Sequence, residues 1–133
     1  MKRGGGQYHA ALTTLDEALD LSRRSGQRWF DAESYRTRGE ILLKQNAADP
    51  GPAEEAYLTA IGVAQQQKAR SFGLRAAVSL AKLYQSTGRL VDAQAVLAPA
   101  LEGFAPTTEM PEIAEAHALL AALDGRDATA QPE

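Results

Sequence analysis

The sequence predicts an all-α array of antiparallel helical hairpins stacked side by side, and three observations carry that prediction. A small-and-large pattern recurs three times: Ala11, Leu15, Ala18, Leu19; then Ala53, Tyr57, Ala60, Ile61; then Ala93, Leu97, Ala100, Leu101. Small residues at fixed positions let one helix approach the next closely, which is how stacked repeats bury a continuous core. Ala and Leu dominate the apolar residues and β-branched residues are scarce, so strands are disfavoured. Glycine stops and loop-forming clusters break the chain into segments of helical length.

The elements follow in order. Helix one is expected from Gln7 to Ser25, with Tyr8, Ala11, Leu12, Leu15, Ala18 and Leu19 as its apolar stripe and Gly26 as its stop. Gly4-Gly5-Gly6 reads as a flexible leader, because no strand precedes it to form a phosphate loop. Helix two runs from about Arg28 to Lys44. Its central Gly39 costs about 1 kcal/mol against Ala and therefore implies a close helix contact. Asn46, Asp49, Pro50 and Gly51 mark a loop, and Pro52 suits the first turn of helix three, where Glu54 and Glu55 favour the positive end of the dipole.

Helix three extends to about Lys68. Ser71 is placed as the cap of helix four, which runs to Thr87 and stops at Gly88. Helix five spans about Leu90 to Glu102 and contains Pro99, with Gly103 as its stop. Helix six, capped by Thr108, runs from Glu109 to Leu123 with Pro111 near its start. The domain thus covers 1–124, as a half-repeat 6–26, repeats 28–69 and 71–103, and a terminal helix 108–124. Residues 125–133 offer nothing to bury and are expected to be disordered.

Composition narrows the function classes. The 14 Lys and Arg are dispersed among 17 Asp and Glu, for a net charge of -3, so no phosphate-attracting field arises and nucleic acid is disfavoured as a partner. The absence of cysteine removes disulfides, thiolate metal sites and Cys nucleophiles together, and fits a cytoplasmic protein. No run of 18 apolar residues is present, so neither a membrane span nor an export signal is indicated.

Leu80, Ala81, Tyr84, Gly88, Ala93, Leu97, Ala100 and Leu101 reproduce in order and spacing a tetratricopeptide repeat, which this unit resembles. Tyr35, Gly39, Leu42, Ala53, Tyr57, Ala60 and Ile61 form a second copy with a loop insertion around Asp49 to Pro52. Ala18, Ala60 and Ala100 are 42 and 40 residues apart, longer than the roughly 34 of the standard repeat, so the units are TPR-like rather than standard. The stretches Tyr35–Leu43 and Ala69–Ala81, with Leu97-Ala98-Pro99 and Phe104, are similar to TPR-like C-terminal regions of bacterial ATPase-containing regulators and class III nucleotide cyclase fusions.

That resemblance implies a right-handed superhelix of about six helices. It also implies a non-catalytic protein–protein interaction scaffold or regulatory module of a bacterial signalling or transcriptional regulator. A peptide- or small-molecule-sensing module and a homodimerisation domain are the alternatives. The chain begins inside a repeat, and the expectation is that a further segment or a second copy covers helix one.

In stacked hairpins the first helix of each pair lines the concave face. Its outward residues here are Glu33, Arg36, Glu40 and Lys44, then Arg75, Ser79, Lys82 and Gln85. Arg36, Arg75 and Lys82 together would clamp a carboxylate or acidic peptide. The competing reading is a solvated face with i,i+4 pairs such as Arg36 with Glu40. For self-association the residues are Tyr8, Leu12, Ile113 and Leu120.

His9 and His117 lack zinc-helix spacing, so no metal is expected, and no cofactor motif is present. His117 reads as a half-buried packing residue, and Trp29, Tyr35, Tyr57 and Tyr84 read as core. Asp16-Glu17 and Glu54-Glu55 are adjacent in sequence and cannot flank one bond. Ser22, Ser25, Ser71 and Ser86 have no nucleophile context, so no enzymatic activity is expected.

Overall fold

The computed structural model describes the backbone of residues 3–102, 104 and 110–130, and side chains over 6–102, 104 and 110–124. The described residues form six helices: α1 Arg3–Ser25, α2 Asp31–Gln45, α3 Gly51–Gln67, α4 Arg70–Ser86, α5 Leu90–Leu101 and α6 Pro111–Ala130. Each packs against its neighbour in sequence. The even-numbered helices also touch across the stack, α2 with α4 and α4 with α6, whereas α1, α3 and α5 do not touch one another. The molecule therefore has a continuous inner layer and a splayed outer one.

Glycine closes two of the helices as anticipated. Gly26 and Gly88 have φ of +79° and +80°, the left-handed region that side chains resist. Lys68 takes the same role after α3 with φ of +57°. At α3 the Ala69 N–H donates to the Ala64 carbonyl at 2.8 Å, and at α4 the Arg89 N–H donates to the Tyr84 carbonyl at 2.8 Å, so the two turns close alike. Pro52 lies in the first turn of α3, where its missing N–H costs nothing, and Glu54 lies beside it.

The core is built where the repeated pattern sits between helices. Ala53, Ala60, Ala81, Ala93 and Ala116 are fully buried, as are the larger Leu74, Leu80, Leu97 and Leu123. Each leucine contributes about 1.5–3 kcal/mol by leaving water. Tyr57 of α3 is buried against Gly39 of α2. A Cβ at residue 39 would stand 2.6 Å from Tyr57 Cε1, which explains the mid-helix glycine. The first copy of the pattern, on α1, is more open: only Leu19 of its four residues is buried, because α1 packs on α2 alone.

Several expectations are corrected. Gly4-Gly5-Gly6 belong to α1 and are no leader; glycine weakens a helix without breaking it as proline does. α2 starts at Asp31, so Trp29 falls in the turn before it and is 68% exposed rather than core. α4 begins at Arg70 with Ala69 as its cap residue, so Ser71 lies inside the helix and caps nothing. α6 continues to Ala130, beyond the expected boundary at 124 into the segment assigned to a disordered tail; Gly125 alone does not end it. Gly103, Thr108, Glu109 and residues 131–133 lie outside the described residues.

Candidate functional site

The inner layer brings most of the expected contact residues together. Residues at i, i+4 and i+7 share a helix face, and Arg36 and Glu40 on α2 meet Arg75, Ser79 and Lys82 on α4 around a groove of about 240 Å³. Glu33 forms part of the same ion network, and Gln85 does not line the groove. Two further lining residues, Glu112 and Glu115, come from α6.

The groove is neutralised from within. Glu33, only 5% exposed, accepts from Arg36 Nε at 2.7 Å through Oε1, and its Oε2 accepts from Arg36 Nη2 at 3.3 Å and from Arg75 Nη1. Arg36 Nη1 also donates to Glu40 Oε2 at 2.5 Å, the i,i+4 pair anticipated for a solvated face. Arg75 Nε lies 3.5 Å from Glu112 Oε2, and Lys82 Nζ pairs with Glu115. The hydrogen bond to Glu33 holds the Arg36 guanidinium above its already high ordinary range, against the opposing effect of burial. The three cations of the expected clamp thus face four carboxylates of the chain itself. An incoming acidic ligand would have to displace Glu112 and Glu115.

Sequence reasoning missed those two glutamates because their pairing depends on where α6 docks. Their spacing, on the side of α6 away from the buried Ile113 and Ala116, was the available signal. It missed a second feature as well. Trp29 and Phe30, 68% and 48% exposed, meet edge to face with ring centroids 5.2 Å apart, and Phe30 meets Phe72 at 5.8 Å.

The cluster is held by polar ties on the same edge. Gln67 Nε2 donates to the Arg28 carbonyl at 2.8 Å. Buried Asp31 accepts from Ser22 Oγ at 2.7 Å and from Arg28 Nε at 3.1 Å, joining the end of α1 to the start of α2. Phe104, which follows α5, carries Arg70 over its ring at 5.0 Å. The three Phe and the single Trp of the chain therefore all lie on the edge formed by the α1–α2 and α3–α4 turns and the end of α5.

Of the expected self-association residues, Ile113 is buried in the core at 4% exposure and Leu120 packs partly buried against it, so neither offers a free apolar surface. They face inward because α6 packs on both α4 and α5. Tyr8 and Leu12 remain half-buried on α1. His9 is exposed, and His117 is half-buried with Nε2 lacking a hydrogen-bond partner. Tyr57 and Tyr84 are core; Tyr35 is half-buried. Among the described residues no cluster of three or more His, Asp or Glu is arranged to hold a metal. Among the described residues no helix is long and apolar enough to cross a membrane. Comparison of the chain with protein-family models, with curated proteins and with solved structures gives no significant match.

Proposed function

We propose that this chain is a non-catalytic protein-interaction module, TPR-like in its repeated pattern, that docks a partner through its aromatic edge and serves a bacterial regulatory protein. The observation that carries the reading is the exposure of Trp29 and Phe30, with Phe30 edge to face against Phe72 and Arg28 next to them in the chain. Leaving two large rings in water is unfavourable, and aromatic and arginine side chains are the types that concentrate in interface hot spots. The regulatory role rests on the resemblance of the Tyr35–Leu43 and Ala69–Ala81 stretches. A non-catalytic role is supported by the ion pairs that occupy the inner groove.

The test is site-specific photo-cross-linking of the full chain in a bacterial cell, with the reactive residue at position 29 and, as a control, at the exposed position 59 on α3. A defined adduct from 29, absent from 59 and lost in Phe30→Ala at unchanged melting temperature, supports the reading. No adduct, or the same adducts from both positions, overturns it. An adduct of two copies of the chain moves the reading to self-assembly.

A further inference from the structure

A second groove lies on the outer layer, away from the ion-paired one. α3 and α5 both pack on α4 without touching each other, and a groove runs between them over half-buried Gly73, with Ala64, Leu74 and Ala77 buried along it. The resulting groove has a volume of about 540 Å³, within the range of small-molecule sites, about 300–1,000 Å³. Its walls are almost wholly alkyl: Ala64 on α3, Gly73 and Ala77 on α4, Val96 and Pro99 on α5. Its polar side chains are Gln65 in the last turn of α3 and Lys68 and Arg70, which flank the α3–α4 turn.

Those two cations, like Lys44 on α2, differ from most of the rest. Every other arginine with a described side chain is paired with a carboxylate of the chain, as is Lys82. Lys68 and Arg70 have no carboxylate partner among the described residues. Arg70 is nevertheless held in place: Nη2 donates to the Glu102 carbonyl and the guanidinium stacks on Phe104, with no further hydrogen bond among the described residues. Lys68 occupies a left-handed backbone position that, among the described residues, is otherwise filled by glycine, at Gly26 and Gly88. A lysine there is unfavourable for the fold but puts an ammonium at the mouth of the groove.

We propose that the α3–α4–α5 groove binds an amphiphilic carboxylate, its hydrocarbon tail along Ala64, Gly73, Ala77 and Val96 and its head group between Lys68 and Arg70. The alkyl walls remove the tail from water, the guanidinium offers paired donors to a carboxylate, and the ammonium adds a second charge-assisted bond. This goes beyond the protein-docking reading and stands without it, since the groove contains none of Trp29, Phe30 and Phe72.

Decanoate and its neutral counterpart 1-decanol are the probes, titrated below their aggregation limits into the full chain, with binding heat and backbone amide NMR shifts as readouts. One decanoate per chain is expected, with shifts centred on Gly73, Ala77 and Val96 and none at the Trp29 indole. Lys68→Gly and Arg70→Gln each weaken decanoate about tenfold, the equivalent of losing one charge-assisted bond. 1-Decanol binds correspondingly weaker and does not respond to Lys68→Gly. Because glycine suits the backbone at 68, that variant melts no lower than the parent, which separates binding from folding. Absence of saturable decanoate binding, shifts centred elsewhere, or parental decanoate affinity in both variants would overturn the assignment.

Discussion

Single residues set the spacing of the stack. At position 39 only glycine leaves room for the Tyr57 ring, which is itself buried between α2, α3 and its neighbours and has nowhere to retreat. Gly39→Ala is therefore expected to destabilise the fold by about 1–3 kcal/mol despite alanine's better helix propensity. Urea denaturation measures it, and an unchanged or raised midpoint would remove the close approach from the account.

Tyr57 also makes stability depend on pH. Burial first, then Glu40, with Arg36 opposing, pushes its phenol from 10.0 to about 12. The folded state thus holds the proton more tightly than the unfolded chain. Its stabilising contribution is complete below about pH 10 and is lost as the pH rises toward about 12. Tyr84, raised by burial and by its hydrogen bond to Glu54, acts in the same direction. Denaturation midpoints are expected to fall across this alkaline window, and more shallowly in Tyr57→Phe. An equally steep fall in the variant would assign the loss elsewhere.

At the scale of helices, ion pairs tie the inner layer while alkyl contacts build the core. Glu33 of α2 bridges Arg36 on its own helix and Arg75 on α4, and Arg75 continues to Glu112 on α6. Glu33 is buried and the two arginines are partly exposed, so its removal leaves cations that water solvates only in part. Glu33→Gln is expected to cost on the order of 1–3 kcal/mol, with Glu40→Gln near neutral because that pair is more exposed. Thermal melts of both variants decide the matter, and equal losses would mean burial of Glu33 is not what counts. A second tie joins three helices at the opposite end of the hairpins. Glu54 of α3 accepts from Tyr84 Oη of α4 at 2.8 Å and from Arg89 Nη1 before α5 at 3.2 Å.

For the whole molecule, the question left by the packing is the open side of α1. That helix touches α2 alone, with Tyr8, Leu12 and Leu15 half-buried and Leu21 exposed. Light scattering behind size exclusion, over a dilution series, is expected to show a mass above the 14.2 kDa of one chain at high concentration that falls on dilution. Replacing Leu12 with Asp should leave a single chain throughout. A single-chain mass at every concentration would mean that α1 is not an association surface.

Helix number and order, the glycine stops at 26 and 88, the role of Pro52 and the close contact at Gly39 were legible in the sequence. They arise from local periodicity, backbone preference and residue size, which act over a few neighbouring residues. So were Arg36, Glu40, Arg75, Ser79 and Lys82 as one surface, because helical spacing fixes which residues share a face. What occupies that surface was decided only by tertiary structure. The carboxylates of Glu112 and Glu115 reach it because α6 docks on α4, a long-range contact that no local pattern encodes. The same holds for Trp29, whose apparent place on a helical stripe depended on where α2 starts. It holds too for the apolar groove, which exists because α3 and α5 pack on α4 and leave each other untouched.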